Sequence, residues 1–271
     1  MQTTTRIMLP NADPIDLLNA FLAAHAKTEA VPAMVYVRGE ELYHALSANP
    51  PAHPAWGRFL VAMGQLAAER MDDAAAASRY FLQALQGVAR HGDHEAAVTA
   101  GYNQGVLQEK RRHLAHALAA YRAAASEGFR CGAVTANTLR SATAAVRVRF
   151  AEDGELGDVA PLAKQAWLGW LWLRSADPAQ LDAELVEELT RQLAALLLPE
   201  DDPGQLMACW RAWVPTSLTL PDGSLWHDGD PTCRDALFAA AAEAADAHLA
   251  DENPNPGAPY RLLRAAARRV E

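Results

Sequence analysis

The sequence predicts an all-α protein, and three observations support that fold class. Alanine, the strongest helix former, accounts for 59 of the 271 residues. Glycine and proline, the two weakest helix formers, occur only 16 times each. Four Asp-Pro pairs each precede a helix-compatible stretch, and they begin at Asp13, Asp177, Asp202 and Asp230. Aspartate accepts hydrogen bonds from the first free N–H groups of a helix, and proline at the first helical position loses none.

Single residues indicate further helix boundaries. Asp73, Asp93 and Asp158 are expected to cap helices, whereas Gly128 and Gly154 stand where helices are expected to end. These signals predict helices over residues 14–27, 39–48, 54–70, 74–90, 94–111, 114–126, 132–150, 158–174, 179–198, 203–213, 231–250 and 258–270. The short connections between most of them favour antiparallel helix pairs.

Two segments depart from the helical pattern. Residues 34–38, Met-Val-Tyr-Val-Arg, are compatible with a short strand or with the start of a helix. Residues 215–229 alternate apolar and polar side chains around the turn sequence Pro221-Asp222-Gly223. That alternation predicts a small β-hairpin or an ordered loop between helices.

A short spacing pattern recurs in the middle of the chain. An alanine is followed four residues later by an aromatic side chain and three residues after that by a second alanine. The copies are Ala77-Phe81-Ala84, Ala117-Tyr121-Ala124 and, with tryptophan in the last place, Ala163-Trp167-Trp170. In the helix before the second copy, Gly105 supplies a small residue twelve positions ahead of its first alanine.

This pattern resembles the tetratricopeptide repeat, best over residues 54–126. In that family small residues let paired helices approach closely, and the aromatic side chain fills the gap to the next repeat. The sequence departs from the family in three ways. The first two copies are forty residues apart, whereas the standard period is about 34. Gln65 takes the small-residue position of the first copy, and Phe129 replaces the terminal proline of the second.

The resemblance implies an α-solenoid of antiparallel helix pairs over residues 54–174. An N-terminal helical segment, residues 1–53, would precede it. An irregular C-terminal helical region, residues 175–271, would pack on it. An irregular helical bundle is the alternative fold.

The family also implies a binding surface, because first helices of successive repeats line a concave groove. An asparagine two residues before the small position often holds the ligand backbone there. Asn103, beside Tyr102, occupies that position, and Asn137 follows thirty-four residues later. Lys110 and Arg140 would add positive charge, so the groove is expected to bind a protein or peptide partner, an acidic one being an option. Alternatively, both asparagines only cap or hydrate exposed helix faces.

Charge is unevenly distributed, which leaves a second class of function open. Residues 101–150 carry a net charge of +6 and residues 151–256 one of −15. The basic segment could be a solvated surface, could face an acidic partner, or could dock on the acidic half of the same chain. It could also bind nucleic-acid phosphates, although the overall charge of −9 and the lack of a recognition motif count against this. The basic residues are Lys110, Arg111, Arg112, Arg122, Arg130, Arg140, Arg147 and Arg149.

A hydrolase is the third class. His227, Asp228 and Asp230, with Cys233 nearby, could form an acid–base or metal site. However, Asp230 is expected to cap a helix and Asp228-Gly229 is ordinary turn chemistry. No established catalytic motif accompanies them. The prediction is therefore a non-enzymatic protein without catalytic residues, metal or cofactor.

Paired histidines offer little more. His91 and His94 are three residues apart, as are His113 and His116, but His91 falls in a predicted turn and His113 at a helix end. Tryptophans spaced by three residues, Trp167 with Trp170 and Trp210 with Trp213, are expected in the core.

Bulk features indicate a cytoplasmic protein. The three cysteines are odd in number and widely spaced, which does not suit a disulfide framework. No secretory signal is visible before Asp13. No apolar run approaches the length of about 20 residues that spans a bilayer, so a membrane partner is not expected.

Overall fold

The computed structural model describes residues 13–26, 32–153, 157–197 and 216–227, with single positions between 230 and 243. These residues are mostly helical and include one two-stranded sheet, which confirms the fold class and the β-hairpin. The chain divides into two compact units, Met1–His113 and Leu114–Glu271. The division into three segments predicted from the sequence stays a prediction. The helices predicted at 203–213 and 258–270, and the stop at Gly154, lie outside the described residues.

The first unit contains six described helices. They are α1 (Pro14–His25), α2 (Pro32–Leu46), α3 (Pro54–Glu69), α4 (Ala74–Gln86), α5 (Val88–His91) and α6 (His94–Lys110). Three predicted caps are confirmed. Asp13 accepts from the Ile15 N–H at 2.9 Å, Asp73 from two N–H groups of α4, and Asp93 from the Ala96 N–H at 2.9 Å.

Helix α2 settles the ambiguous segment 34–38. The helix begins at Pro32 and runs through this segment, so the strand alternative is wrong. Its buried face carries Leu42, Tyr43 and Leu46, which pack into the core of the first unit. That packing outweighs the weak helix propensity of the β-branched valines at 35 and 37.

The second unit contains longer helices and the hairpin. Its described helices include α7 (Leu114–Cys131), α8 (Ala136–Asp153), α9 (Ala160–Ala176) and α10 (Ala183–Leu197). Short 3-10 turns, Gly157–Val159 and Pro178–Gln180, precede the last two. Strands β1 (Ser217–Thr219) and β2 (Leu225–His227) pair antiparallel, with Leu218 opposite Trp226. Gln165 of α9 donates to the Ser217 carbonyl at 2.9 Å and ties the hairpin to that helix.

Three predicted boundaries in this unit are wrong. Asp177 precedes a 3-10 turn and makes no side-chain cap hydrogen bond, and α10 begins at Ala183 instead of residue 179. Helix α7 does not end at Gly128 but continues to Cys131. A Cβ at Gly128 would lie 2.5 Å from the Thr138 side chain of α8, so this glycine permits a close helix contact and does not end a helix. Asp158 does not cap α9, whose N-cap is Val159 without a side-chain hydrogen bond. Asp158 pairs with Arg122 of α7 instead.

Close helix packing in the first unit depends on Gly64. Helix α3 packs against α4, and α6 packs against both. A Cβ at Gly64 would lie 2.6 Å from Cδ1 of Phe81, which is closer than carbon atoms pack. Phe81 and its repeat partners Ala77 and Ala84 are buried. The residue that packs closely against Phe81 is therefore Gly64, one position before the Gln65 that the spacing to Ala77 indicates, and the repeat itself stays a prediction.

The aromatic side chains of the other copies are also buried. Tyr121 and Trp167 are 1% and 0% exposed, and Trp170 is 2% exposed, which confirms the core assignment of both tryptophans. Helix α8 lies against both α7 and α9. Gly105 and Ala117 belong to different units, so their pairing within one repeat stays a prediction.

A polar cluster joins α2 to α4. The Tyr80 hydroxyl donates to Glu40, and Arg79 donates to the Tyr80 hydroxyl at 3.1 Å. The Arg79 guanidinium also lies 4.7 Å from the centre of the Tyr80 ring. Burial, together with the negative charge of Glu40, raises the pKa of Tyr36 to about 12. The same causes raise the pKa of Tyr80.

We expect Gly64→Ala to lower the free energy of unfolding. The added methyl group overpacks against Phe81, which costs about 1–3 kcal/mol, and the better helix propensity of alanine returns about 1 kcal/mol. Urea denaturation measures the net effect. In a double-mutant cycle, Phe81→Leu should remove most of the penalty of the alanine. An alanine substitution with the same effect on the unfolding free energy in the wild-type and Phe81→Leu backgrounds would contradict the close contact.

Stability should fall as the pH rises from about 10 to about 12. Above pH 10 the Tyr36 hydroxyl loses its proton in the unfolded chain but keeps it in the folded chain, because its pKa is higher there. Deprotonation therefore favours the unfolded state, and the free energy of unfolding falls as the pH rises towards 12. Urea midpoints measured across this range test the direction. Tyr36→Phe should flatten the decline relative to wild type. A variant with an identical slope would show that Tyr36 does not contribute.

Candidate functional site

The predicted groove residues lie on two helices. Tyr102 and Asn103 are half-buried on α6, and Lys110, the last residue of this helix, is exposed. Asn137 and Arg140 are half-buried on α8. The two sets belong to different units, so a single groove formed by all five residues stays a prediction.

Residues of the segment before α10 already contact the predicted site on α8. Arg140 pairs with Asp182, whose other carboxylate oxygen accepts from the Leu185 N–H at 2.9 Å and so caps α10. Gln180 accepts from the Ala136 N–H at the start of α8, at 3.0 Å. Arg140 also donates to Asn137 at 3.5 Å. An acidic partner would therefore have to displace Asp182 to reach Arg140.

Carboxylates of the second unit engage part of the basic strip. Arg122 pairs with Asp158, and Arg140 with Asp182, which join the basic segment 101–150 to the acidic segment 151–256. Arg130 pairs with Glu127 on its own helix at 2.7 Å. These contacts agree with the proposed docking of the basic segment on the acidic half of the chain, and they lower the charge available to nucleic-acid phosphates.

A cavity of about 380 Å³ lies between α1, α3 and α6 of the first unit. This volume is at the lower end of the range of about 300–1,000 Å³ that is typical of ligand sites. Its apolar lining comes from all three helices, and its polar lining includes both charged and neutral groups. The apolar residues are Leu22, Val61, Ala62 and Ala96, and the polar ones are His25, Arg58, Gln65, Asp93, Glu95 and Thr99.

An ion pair sets one end of this cavity. Nε of Arg58 lies 3.3 Å from Oδ2 of Asp93, while Oδ1 of Asp93 accepts from the Ala96 N–H. The same aspartate therefore starts α6 and ties it to α3. The Arg58 side chain is 55% exposed, and that of Asp93 is 15% exposed.

His91 holds the backbone of Asp93 in place and so supports the ion pair. Its Nδ1 accepts from the Asp93 N–H at 3.0 Å, so Nε2 carries the proton and donates to the Ala84 carbonyl at 2.8 Å. Both ring nitrogens are occupied, which leaves none for a metal ion. A Cβ at Gly57 would lie 2.7 Å from Nδ1, so glycine is required where α3 passes the imidazole.

Helices α3 and α6 run in the same direction along the cavity. Arg58 near the start of α3 meets Asp93 at the start of α6. Further along, α4 contacts both helices, since Phe81 lies on Gly64 and Ser78 accepts from Gln104 at 2.9 Å. Asn103 lies one helical turn beyond Thr99 and so continues the cavity stripe of α6. We call the surface formed by Arg58, Gln65, Thr99 and Asn103 the α3/α6 face.

Sequence reasoning found Asn103 on this face but missed the cavity. The four-residue spacing of Glu95, Thr99 and Asn103 was a usable signal for one helix stripe. The matching stripe of α3, from Arg58 to Gln65, lies about thirty-five residues away in sequence. Only the tertiary contact shows that the two stripes meet.

The structure tests the proposed hydrolase cluster only in part. His227 is exposed at the end of β2, whereas Asp228 and Cys233 lie outside the described residues. Asp230 accepts from the Thr232 N–H at 2.8 Å, as its predicted capping role requires. The Cys131 thiol donates to Glu127 at 3.3 Å, and burial raises its pKa. That environment keeps the thiol protonated and disfavours a nucleophilic role.

Comparison with known proteins leaves the family open. No protein-family model matches the chain, and no curated protein is similar to it in sequence. Within the described ranges, no helix is both long and apolar enough to cross a bilayer.

Substitutions at Asp93 should separate its two roles. Asp93→Ala loses both the cap of α6 and the ion pair with Arg58, and should cost about 1–2 kcal/mol of unfolding free energy. Asp93→Asn keeps a capping oxygen and loses only the exposed ion pair, which is worth about 0–1 kcal/mol. Arg58→Gln should match the asparagine variant in urea denaturation. Equal losses for alanine and asparagine would show that the ion pair, not the cap, is the important contact.

Proposed function

We propose that this protein is a non-enzymatic interaction protein that binds a peptide or protein partner on the α3/α6 face. The observation that carries the proposal is the cavity between α1, α3 and α6. Asn103 does not line the cavity but follows Thr99 by one helical turn on α6. Parallel helices with a cavity between them form a groove that can hold an extended segment of another chain. The partner-binding role predicted for Asn103 is retained, and Gln65 joins it.

The chemistry of the two amide side chains supports this role. Gln65 and Asn103 are half-buried, and neither side chain has a hydrogen-bond partner among the described residues. A carboxamide presents a donor and an acceptor side by side, which matches the N–H and C=O of an extended peptide. Half-burial limits competition from water without isolating the groups, so such hydrogen bonds can add to affinity.

A tetratricopeptide-like α-solenoid is the architecture that we propose around this face. In the first unit, α3 and α4 would form one helix pair and α6 the first helix of the next. In the second unit, α7, α8 and α9 would continue the alternation. Support comes from the packing of each helix on its neighbours within its unit and from the close contacts at Gly64 and Gly128.

The charge pairs favour this proposal over nucleic-acid binding. Arg122, Arg130 and Arg140 already face carboxylates of the same unit. Phosphate binding would require these pairs to break or would depend on the remaining basic side chains. These pairs also weaken the case for an acidic partner. Lys110 and Arg140 are the two cations predicted for the groove, and Arg140 is already paired with Asp182.

The test is to select binders from a random-peptide library on the full-length protein and to measure their affinities by fluorescence anisotropy. Replacing Gln65 and Asn103 together by alanine should weaken binding about tenfold or more, since two hydrogen bonds of about 0.5–1.5 kcal/mol each are lost. The melting temperature should stay unchanged, because neither amide holds another described residue.

A matched variant controls for general effects of removing surface amides. Asn49 and Gln86 are exposed in the same unit and lie outside the cavity. Replacing both by alanine should leave peptide affinity at the wild-type value. Equal affinities for all three proteins would place the peptide elsewhere and contradict the proposed face.

A further inference from the structure

We infer that the cavity between α1, α3 and α6 receives the side chain of a lysine or arginine from the bound partner. The inference rests on the proposed function, since it names the residue class that the α3/α6 face reads. It is argued from the shape, the lining and the charge balance of the cavity.

The apolar lining suits the methylene stem of a long basic side chain. Leu22, Val61, Ala62 and Ala96 line the cavity with aliphatic groups only. Lysine and arginine bury such stems along apolar surface while their charged heads stay near polar groups. A cavity of about 380 Å³ has room for either side chain.

The charge balance of the lining is negative. Asp93 neutralises Arg58 through their ion pair, which is fixed further by the cap of α6. Glu95 is exposed at the cavity and has no ion-pair partner among the described residues. The side-chain carbonyl of Gln65 adds an uncharged acceptor. A cationic head at Glu95 would therefore meet a carboxylate that no described cation pairs with.

Other side-chain classes fit less well. A carboxylate would approach both Glu95 and Asp93 and would compete with Asp93 for Arg58, so repulsion opposes it. An aliphatic side chain would contact the apolar lining but would gain nothing from the charge of Glu95. His25 also lines the cavity, and its ring stacks on Phe21 at a centroid distance of 6.4 Å. The guanidinium of an arginine or the methylene stem of a lysine can lie against this ring.

The experiment uses the library peptides that bind the full-length protein through Gln65 and Asn103. The binders should share a lysine or arginine, and replacing it by norleucine should weaken binding by up to about fivefold, because Glu95 is exposed and an exposed ion pair is worth about 0–1 kcal/mol. On the Glu95→Gln protein, the same replacement should change affinity less than twofold, because the carboxylate is gone. Glu41→Gln changes an exposed acid on α2, a helix that does not line the cavity, and this matched control should behave as wild type.

A charge reversal gives the second arm. Glu95→Lys should reject the basic peptide and should regain affinity when that residue of the peptide is changed to glutamate. Binders without a shared basic residue, or equal affinities for wild type and Glu95→Gln, would overturn the inference while leaving the α3/α6 face intact. Binding that ignores both Gln65 and Asn103 would instead remove the proposed function itself.

Discussion

The distance at which helices can approach each other governs the rest of this structure. Gly64 lets α3 come against the ring of Phe81, and Gly128 lets α7 come against Thr138. Gly169 does the same for α9, where a Cβ would lie 2.7 Å from Leu139. With so few aromatic side chains, the chain gains packing density from small residues that bring backbones together. A methyl group at any of these positions would meet the side chain opposite, which would have to shift to make room.

Aspartates convert that packing into defined helix starts. Asp93 is the most informative, because one carboxylate caps α6 while it holds Arg58 of α3, and its own N–H is held by buried His91. The ion pair joins the start of α6 to α3, the other two contacts hold Asp93 in place, and the cavity lies next to that junction. Asp93 therefore has two effects. It stabilises the start of α6, and it fixes the position of α6 against α3 on the α3/α6 face.

The second unit uses charge in a different way. Its basic and acidic segments, which look like separate surfaces in the sequence, meet as the pairs Arg122–Asp158 and Arg140–Asp182. Exposed pairs of this kind add little stability, about 0–1 kcal/mol each. They matter more for recognition, because they remove cations that an acidic partner or a nucleic acid would otherwise find. The partner that we propose therefore does not bring an acidic residue to Arg140 on α8. It brings a basic residue to the cavity of the first unit.

The amino-acid sequence by itself determined what depends on near neighbours along the chain. Caps at Asp13, Asp73 and Asp93 follow from a carboxylate placed beside free N–H groups, and the hairpin follows from alternation around a turn. Tertiary structure alone decided what depends on distant residues. Gly128 and Gly64 illustrate this, since a glycine can end a helix or admit a neighbour, and only the side chain opposite, Thr138 or Phe81, selects between the two. The cavity was beyond sequence reasoning for the same reason, because it exists only where stripes of three separate helices meet.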